Sequence, residues 1–249
     1  MRTLLALAVL LGLALPVQAQ QADAQAILDK ALKAHGDEKT ALKLTASTAK
    51  GKGTISAMGM DLEFSIETWS QLPDKTKSII NLNIEGMMLE IVQVINGGKG
   101  WSSLLGMVQD LEADQIKEAQ EAMYAGRIAG LYGIKADKTL KLSPLGETKV
   151  GDKTVVGIQV TKKDKRDVNL YFDKTTNMLL KSETRATNPF TMMEVNAETL
   201  YDNYKEVVPG VKSATKVTVN HDGKRYLEFQ VSEATAVEKL DESIFAKPG

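Results

Sequence analysis

Few residues in this sequence have the types and the spacing that chemistry requires. The chain has two histidines, His35 and His221, and no cysteine. Without cysteine there is no disulfide, thiolate zinc site, iron–sulfur cluster or cysteine nucleophile. His221 stands in an Asn-His-Asp-Gly-Lys segment typical of a hairpin turn, and His35 precedes Gly36 at a predicted helix end. We therefore predict turn and capping roles for the histidines, with no metal and no cofactor.

The carboxylates do not form a stronger candidate site. Asp164, Asp167 and Asn169 resemble part of a calcium loop, but the glycine and the closing glutamate of such a loop are missing. Glu63 and Glu67 alternate with apolar residues. This pattern is typical of the solvent-exposed face of a strand and not of the two catalytic carboxylates of a glycosidase. The Gly-Gly-Lys-Gly run at 97–100 joins two predicted strands, so it is not a phosphate loop. The sequence predicts a protein that is not an enzyme.

Composition excludes nucleic acid as a partner and draws attention to methionine. The 31 Lys+Arg and 32 Asp+Glu give a formal net charge of −1, without the basic patch that a nucleic-acid backbone requires. Aromatic residues make up only 5% of the chain, whereas there are 10 methionines. Methionine suits an apolar surface that repacks around varied ligands, and it also fills gaps in ordinary cores, so both interpretations stay open. Beyond the initiator the methionines are Met58, Met60, Met87, Met88, Met107, Met123, Met178, Met192 and Met193.

The first residues form an export signal. A basic Arg2 precedes an apolar stretch at 3–15, and small residues end the segment at Ala19. We predict a signal peptide over residues 1–19, which is too short to be a transmembrane helix. The remaining residues, 20–249, form one predicted domain that is exported to the periplasm and, lacking cysteine, is not lipidated.

Alternation with period two dominates this domain. Leu62, Phe64 and Ile66 fall on one face of a predicted strand, and glycine-containing turns separate about ten or eleven such strands. Short turns join neighbouring strands as hairpins, so the sheet is predicted to be antiparallel.

Helical spacing appears at 22–35 and 110–130. The second segment places Ala119, Ala122, Met123, Gly126 and Gly130 on one face, which we predict to lie against the sheet. The expected fold is α+β, a layered sheet or a half-barrel.

Several short motifs carry a family resemblance. They are the segment from Trp69 to Lys77 with Pro73, the strand–turn–strand at 94–101 ending in Trp101, the strand–turn–strand at 168–181, and the closing segment with Phe245 and Pro248. In this order, with the exported start and the mid-chain helix, the chain resembles the LolA and LolB family of outer-membrane lipoprotein-sorting proteins and the related RseB-like periplasmic proteins. The turn at 96–98 lacks the aspartate of that family, and no residue, Arg127 included, aligns with the arginine of the LolA lid.

The resemblance implies a single antiparallel sheet curled into an unclosed β-barrel, with an N-terminal helix and a mid-chain helix covering the concave apolar face. It implies a non-enzymatic carrier or binding protein for lipoproteins or lipids, whose acyl chains lie in that cavity. A chain without cysteine cannot be the lipidated LolB receptor, so the carrier side of the family is favoured. The partners implied are acyl chains and an envelope donor or receptor protein.

The predicted cavity residues combine the alternating strand faces with the mid-chain helix. They are Leu62, Phe64, Ile66, Leu82, Ile84, Met87, Leu89, Ile91, Trp101, Met123, Ile158 and Val160. We expect a monomer that is not an integral membrane protein. The alternative is an RseB-like envelope sensing module of the same fold that binds a protein partner.

Overall fold

A computed structural model describes residues 17–36, 39–40, 45–57, 59–131 and 133–247 of the chain. Residues 1–16 of the predicted signal peptide, Met58 and Pro248 lie outside the described residues. The prediction of a signal peptide therefore stays a prediction.

Two α-helices, one 3₁₀ turn and thirteen strands make up the described part of the chain. The helices are α1 (Val17–His35) and α2 (Ala113–Ala129), and the 3₁₀ turn covers Glu242–Phe245. The first six strands are β1 (Ala46–Ala57), β2 (Met60–Gln71), β3 (Lys75–Ile84), β4 (Met87–Asn96), β5 (Lys99–Leu104) and β6 (Met107–Asp110). The other seven are β7 (Lys141–Val150), β8 (Lys153–Thr161), β9 (Val168–Asp173), β10 (Leu179–Thr187), β11 (Glu194–Val208), β12 (Val211–His221) and β13 (Lys224–Val237).

All thirteen strands belong to one antiparallel sheet, as predicted. The order across the sheet is β6-β5-β4-β3-β2-β1-β13-β12-β11-β10-β9-β8-β7. The first and last strands pair at the centre, while β6 and β7 form two separate edges. The sheet is therefore an unclosed half-barrel in an α+β fold, and the chain crosses from one edge to the other through α2.

The predicted turns are confirmed, and one unpredicted turn accounts for one of the strands beyond the ten or eleven predicted. Glu85 and Gly86 join β3 to β4 with φ of 52° and 89°, the left-handed pair that a tight hairpin requires. Leu105 and Gly106 make the same kind of turn, with φ of 52° and 79°. Leucine carries no turn signal, so the short strand β6 could not be separated from β5 in the sequence.

Helix α1 ends as predicted, next to a glycine that no other residue could replace. Gly36 has φ of 128° and forms a bridge with Val211 in β12. A Cβ at this position would lie 1.9 Å from the carbonyl oxygen of Gly210. The close approach of Gly36 to the backbone of Gly210 therefore fixes the end of the helix. Its start, at Val17, is five residues earlier than predicted.

Helix α2 does not present the predicted face to the sheet. Its buried residues are Glu121, Tyr124 and Ile128, whereas Ala122 and Gly126 are exposed. The prediction of a small-residue face against the sheet is therefore wrong. The physical reason is that Glu121, on the buried face, pairs with Lys165 in the turn between β8 and β9. The prediction considered only the size of the side chains and not their charge.

Candidate ligand-binding face

Both helices pack on the same side of the sheet, which we call the inner face. The core joins Leu28 of α1 and Ile128 of α2 to side chains of β7–β10. Helix α1 makes its principal contacts with β7, β8 and β12, and α2 with β9 and β10. The helices therefore cover one half of the inner face. Strand members of this core are Leu142, Ile158, Val160, Val168, Leu170, Phe172 and Leu179.

The other half of the inner face, on β2, β3 and most of β4, is apolar, and neither helix that the structure describes makes its principal contacts there. Only at the end of β4 does Ile116 of α2 come close, near Gly100 and the buried Ile95. Residues directly opposite each other on antiparallel strands point to the same side of a sheet. The pairs are Phe64 with Leu82, Ile66 with Ile80, Ile80 with Ile91, Leu82 with Leu89, and Ile84 with Met87. Apart from buried Phe64 and exposed Met87, these side chains are half-buried. We call this surface, together with Leu62, the open apolar face.

One glycine of β1, Gly51, shapes the floor of the inner face beside it. Gly51 pairs with Ile66 on one side and Val231 on the other. A Cβ on Gly51 would lie 2.4 Å from Cε2 of Phe229. The Phe229 ring stacks in turn on Phe64, with centroids 6.3 Å apart and ring planes 14° apart. The absence of a side chain at Gly51 therefore provides the space that this aromatic pair occupies, and Phe64 is only 7% exposed as a result.

Exposed methionines extend the open apolar face to one end of the sheet. Met60 pairs with Ala57, Met87 with Ile84, and Met107 with Leu104, each next to a hairpin turn. Their side chains are 47%, 70% and 70% exposed. The turns between β1 and β2, β3 and β4, and β5 and β6 lie at the same end because the strands alternate in direction. We call Met60, Met87 and Met107 the methionine rim.

The structure brings ten of the twelve predicted cavity residues onto the inner face, in two different environments. Leu62, Phe64, Ile66, Leu82, Ile84, Met87, Leu89 and Ile91 belong to the open apolar face. Ile158 and Val160 are fully buried beneath the helices and form part of the core. Sequence alternation alone could not separate the two groups, because a covered and an uncovered strand show the same period.

Trp101 and Met123 lie elsewhere. The two-residue turn at 97–98 pairs Trp101 with Val94. Side chains alternate along β4, so Val94 points to the side opposite from Ile91 and Ile95, which lie on the inner face. Trp101 is therefore on the outer face, a correction that follows from the short turn between β4 and β5. Met123 is half-buried on α2, next in sequence to the buried Tyr124.

The outer face near Trp101 is covered by the end of the described chain. Phe245 is fully buried, and its carbonyl oxygen accepts a hydrogen bond from Asn96 Nδ2 at 3.3 Å. Val94 is buried there as well, and Lys75 pairs with Glu242. The closing segment therefore seals the outer side of β3 and β4, so that the uncovered apolar surface of these strands is on the inner side.

A group of charges holds α2 in place. Glu121 Oε1 lies 2.8 Å from Lys165 Nζ, and its other oxygen accepts the backbone N–H of Arg166 at 3.0 Å. Glu118 pairs with the Arg166 guanidinium at 2.7 Å and accepts the N–H of Thr187 at 2.8 Å. Burial acts to raise the pKa of Glu118, but the bonds from Arg166 and Thr187 outweigh it and hold that pKa below its ordinary value. We call Glu118, Glu121, Lys165 and Arg166 the helix clamp.

The histidines occupy separate places with no catalytic geometry between them. His35 is 6% exposed, its Nδ1 lies 2.8 Å from the Ala31 carbonyl oxygen, and its Nε2 accepts the Leu179 N–H at 3.4 Å. Burial lowers the pKa of His35. His221 stacks on Tyr226 at 4.0 Å between centroids. Within the described ranges, no three His, Cys, Asp or Glu side chains are grouped as metal ligands.

No helix in the part of the chain that the structure describes is long and apolar enough to span a membrane.

Comparison with known proteins identifies the fold and not a family membership. No family model matches the sequence, and no curated protein matches it. Among solved structures, the chain is similar to a DUF1329 family protein from Desulfovibrio piger, with 13% identity, TM-score 0.57, and coverage of 90% of this chain and 97% of that one.

Two further solved structures bear on the predicted resemblance. An outer membrane lipoprotein-sorting protein domain from Vibrio parahaemolyticus has 12% identity and TM-score 0.53, over 91% of this chain and 97% of that one. A LolA superfamily protein from Nitrosomonas europaea has 14% identity and TM-score 0.53, over 90% and 97%. The predicted LolA-like fold is confirmed over nearly the whole chain.

Proposed function

We propose that this chain is an exported, non-enzymatic binding or carrier protein for acyl chains of lipids or lipoproteins in the bacterial cell envelope. The observation that carries the proposal is the open apolar face, a continuous surface of half-buried aliphatic side chains beside a helix-covered core. A soluble domain normally buries such a surface, and a contiguous apolar patch that remains uncovered is typical of a binding site. Similarity in fold to a lipoprotein-sorting domain supports the same class of ligand.

Acyl chains fit this surface energetically. Burial of each methylene contributes about 0.8 kcal/mol, so partial burial of a chain gives useful but reversible affinity. The proposed contact residues are Leu62, Phe64, Ile66, Leu82, Ile84, Met87, Leu89 and Ile91. The methionine rim lies at the end of this surface, where flexible side chains would adapt to chains of different length as they enter.

The test places the same charge on the two faces of one strand. Leu82→Lys introduces an ammonium on the inner face, and the control Asn81→Lys introduces it on the outer face, where Asn81 pairs with Glu90. We expect Leu82→Lys to weaken binding of a fluorescent fatty acyl probe at least tenfold and Asn81→Lys to leave it unchanged. Met87→Lys, at a position 70% exposed, tests the same face without a risk to folding.

Mass spectrometry of the protein purified from the periplasm provides the second measurement. Co-purified acyl species in the wild type, lost in Leu82→Lys, would support carriage. Wild-type protein that never takes up the probe, or equal binding by both lysine variants, would exclude the proposal. N-terminal sequencing of the same sample tests cleavage after Ala19.

Binding of a partner protein in an envelope sensing role is the second candidate function. The observation in its favour is a group of exposed methionines at hairpin tips, which includes Met88, Met192 and Met193 in addition to the rim. Exposed methionine surfaces also suit protein partners. Capture of one specific envelope protein by a lipid-free sample, abolished by Met87→Lys, would favour this function over carriage.

We also propose that the protein is a monomer, because both sheet edges are poor templates for pairing. Strand β6 has four residues, and edge strand β7 carries Pro144, which has no N–H to donate. Light scattering after size exclusion tests this proposal.

A further inference from the structure

A cavity separate from the open apolar face lies between the C-terminal ends of the two helices and strands β10–β12. Its volume is about 250 Å³. On the α2 side the wall consists of Gly126, Ala129 and Gly130, of which both glycines are exposed. On the sheet side it includes Leu179 and Val217, so most of the lining is apolar.

The tyrosines and the histidine of the cavity wall already have hydrogen-bond partners, whereas Ser213 and Lys212 have no side-chain partner among the described residues. The Tyr204 hydroxyl donates to the Leu179 carbonyl oxygen at 2.8 Å, and the Tyr201 hydroxyl lies 2.9 Å from Ser182 Oγ. His35 uses both ring nitrogens in the bonds described above. Lys212 also lines the cavity, and its ammonium has no ion pair or hydrogen bond with any residue that the structure describes.

Lys212 is exposed and places a positive charge at the solvent side of the cavity. The residue opposite it on β11, Glu206, forms no ion pair with it, and the Glu206 carboxylate accepts the Gly210 N–H at 2.8 Å. The charge of Lys212 reaches His35 across the cavity and, after burial, contributes to lowering the pKa of that imidazole. An apolar cavity with one unpaired cation is complementary to a ligand with an apolar body and one negative charge.

We propose that this cavity binds a medium-chain carboxylate, with the carboxylate paired to Lys212 and the alkyl chain lying along the glycine and alanine surface of α2. At about 30 Å³ per methylene, taken as the volume share of one water molecule, the cavity holds a chain of about eight carbons. This site is distinct from the open apolar face, so the inference does not depend on the proposed carrier function.

The experiment uses the two histidines as internal reporters. The full chain with isotope-labelled histidine is titrated with octanoate at pH 7.5 and followed by NMR, and methyl octanoate serves as the uncharged ligand of the same chain length. We expect saturable shifts of the His35 ring resonances, which lie in the cavity wall, and none for His221. We expect methyl octanoate to bind at least tenfold more weakly.

Matched variants decide the role of Lys212. Lys212→Met should weaken octanoate binding at least tenfold while leaving methyl octanoate unaffected, and Lys216→Met on the same strand should change neither, because Lys216 pairs with Glu228 at 3.4 Å. Unchanged octanoate binding in Lys212→Met, or shifts of His221 equal to those of His35, would overturn the proposal. Leu82→Lys should retain octanoate binding at His35, which separates this result from failure of the carrier function.

Discussion

The carboxylate of Glu121 on α2 lies 2.8 Å from the ammonium of Lys165 in the turn between β8 and β9. Glu121 is only 7% exposed, and the Lys165 ammonium lies 5.7 Å from the centroid of the Tyr124 ring. The covering helix is thus attached to the sheet by a buried charged contact as well as by its apolar residues.

Removal of this carboxylate should destabilise the protein clearly. Glu121→Gln leaves Lys165 without its partner, and since Lys165 remains partly exposed we expect a loss of about 2 kcal/mol, below the range for a fully buried pair. Urea denaturation measures it. Glu194→Gln is the control, because Glu194 and Arg185 form a pair with both side chains more than half exposed. That change should cost less than about 1 kcal/mol. Equal losses in the two variants would contradict a structural role for the helix clamp.

Stability should fall on mild acidification because of His35. Its pKa is lowered in the folded state by burial, so the unfolded chain binds the proton more readily as pH falls below the ordinary histidine value of about 6.5. The contribution is present above that pH and is lost below it, with a slope of at most about 1.4 kcal/mol per pH unit.

Unfolding free energies at pH 7.5, 6.5 and 5.5 measure this effect. His35→Gln should flatten the slope, whereas His221→Gln should flatten it less, since His221 is the more exposed of the two. Asp137 does not interfere, because its pKa is lowered to about 2, chiefly by the Thr139 hydroxyl, and its contribution is lost only below pH 4. An unchanged slope in His35→Gln would argue against the prediction.

Gly51 should not tolerate even a methyl group. The added Cβ would meet both the Phe229 ring and the Gln230 carbonyl oxygen at 2.4 Å, and overpacking of this kind costs about 1–3 kcal/mol. Gly98→Ala is the control, because nothing lies within 4 Å of a Cβ there. Thermal unfolding should show a loss in Gly51→Ala and little change in Gly98→Ala. Comparable behaviour of both variants would show that β1 can shift away from β13.

Intrinsic tryptophan fluorescence should be a poor reporter of acyl binding. Trp69, Lys77, Val94 and Trp101 pair in one row across β2–β5, which places both tryptophans of the chain on the outer face. We expect no shift of the wild-type emission maximum on addition of a saturated fatty acid. Leu89→Trp places an indole on the open apolar face, and its emission should shift to the blue as the chain excludes water. A wild-type shift as large as that of the variant would place the ligand on the other face.

Local patterns in the sequence predicted much of this fold. Alternation of apolar and polar residues identified the apolar faces of the strands. Glycine-containing turns such as Glu85-Gly86 identified the hairpins. Both patterns depend only on residues that are close together in the sequence. The helix-covered core at Ile158 and the open face at Leu82 could not be distinguished, since covering depends on where α2 crosses the sheet. The helix clamp was missed because Glu121 and Lys165 are 44 positions apart in the sequence and meet only in the folded chain.

The order of strands also limits how far the half-barrel can open. Residues 111–140 form the covalent link between edge strand β6 and edge strand β7, and α2 occupies most of that link. The two edges can separate no further than this tether reaches. One connection thus sets the upper limit of the distance between the edges, and a deletion within residues 131–140 would lower that limit without altering any strand.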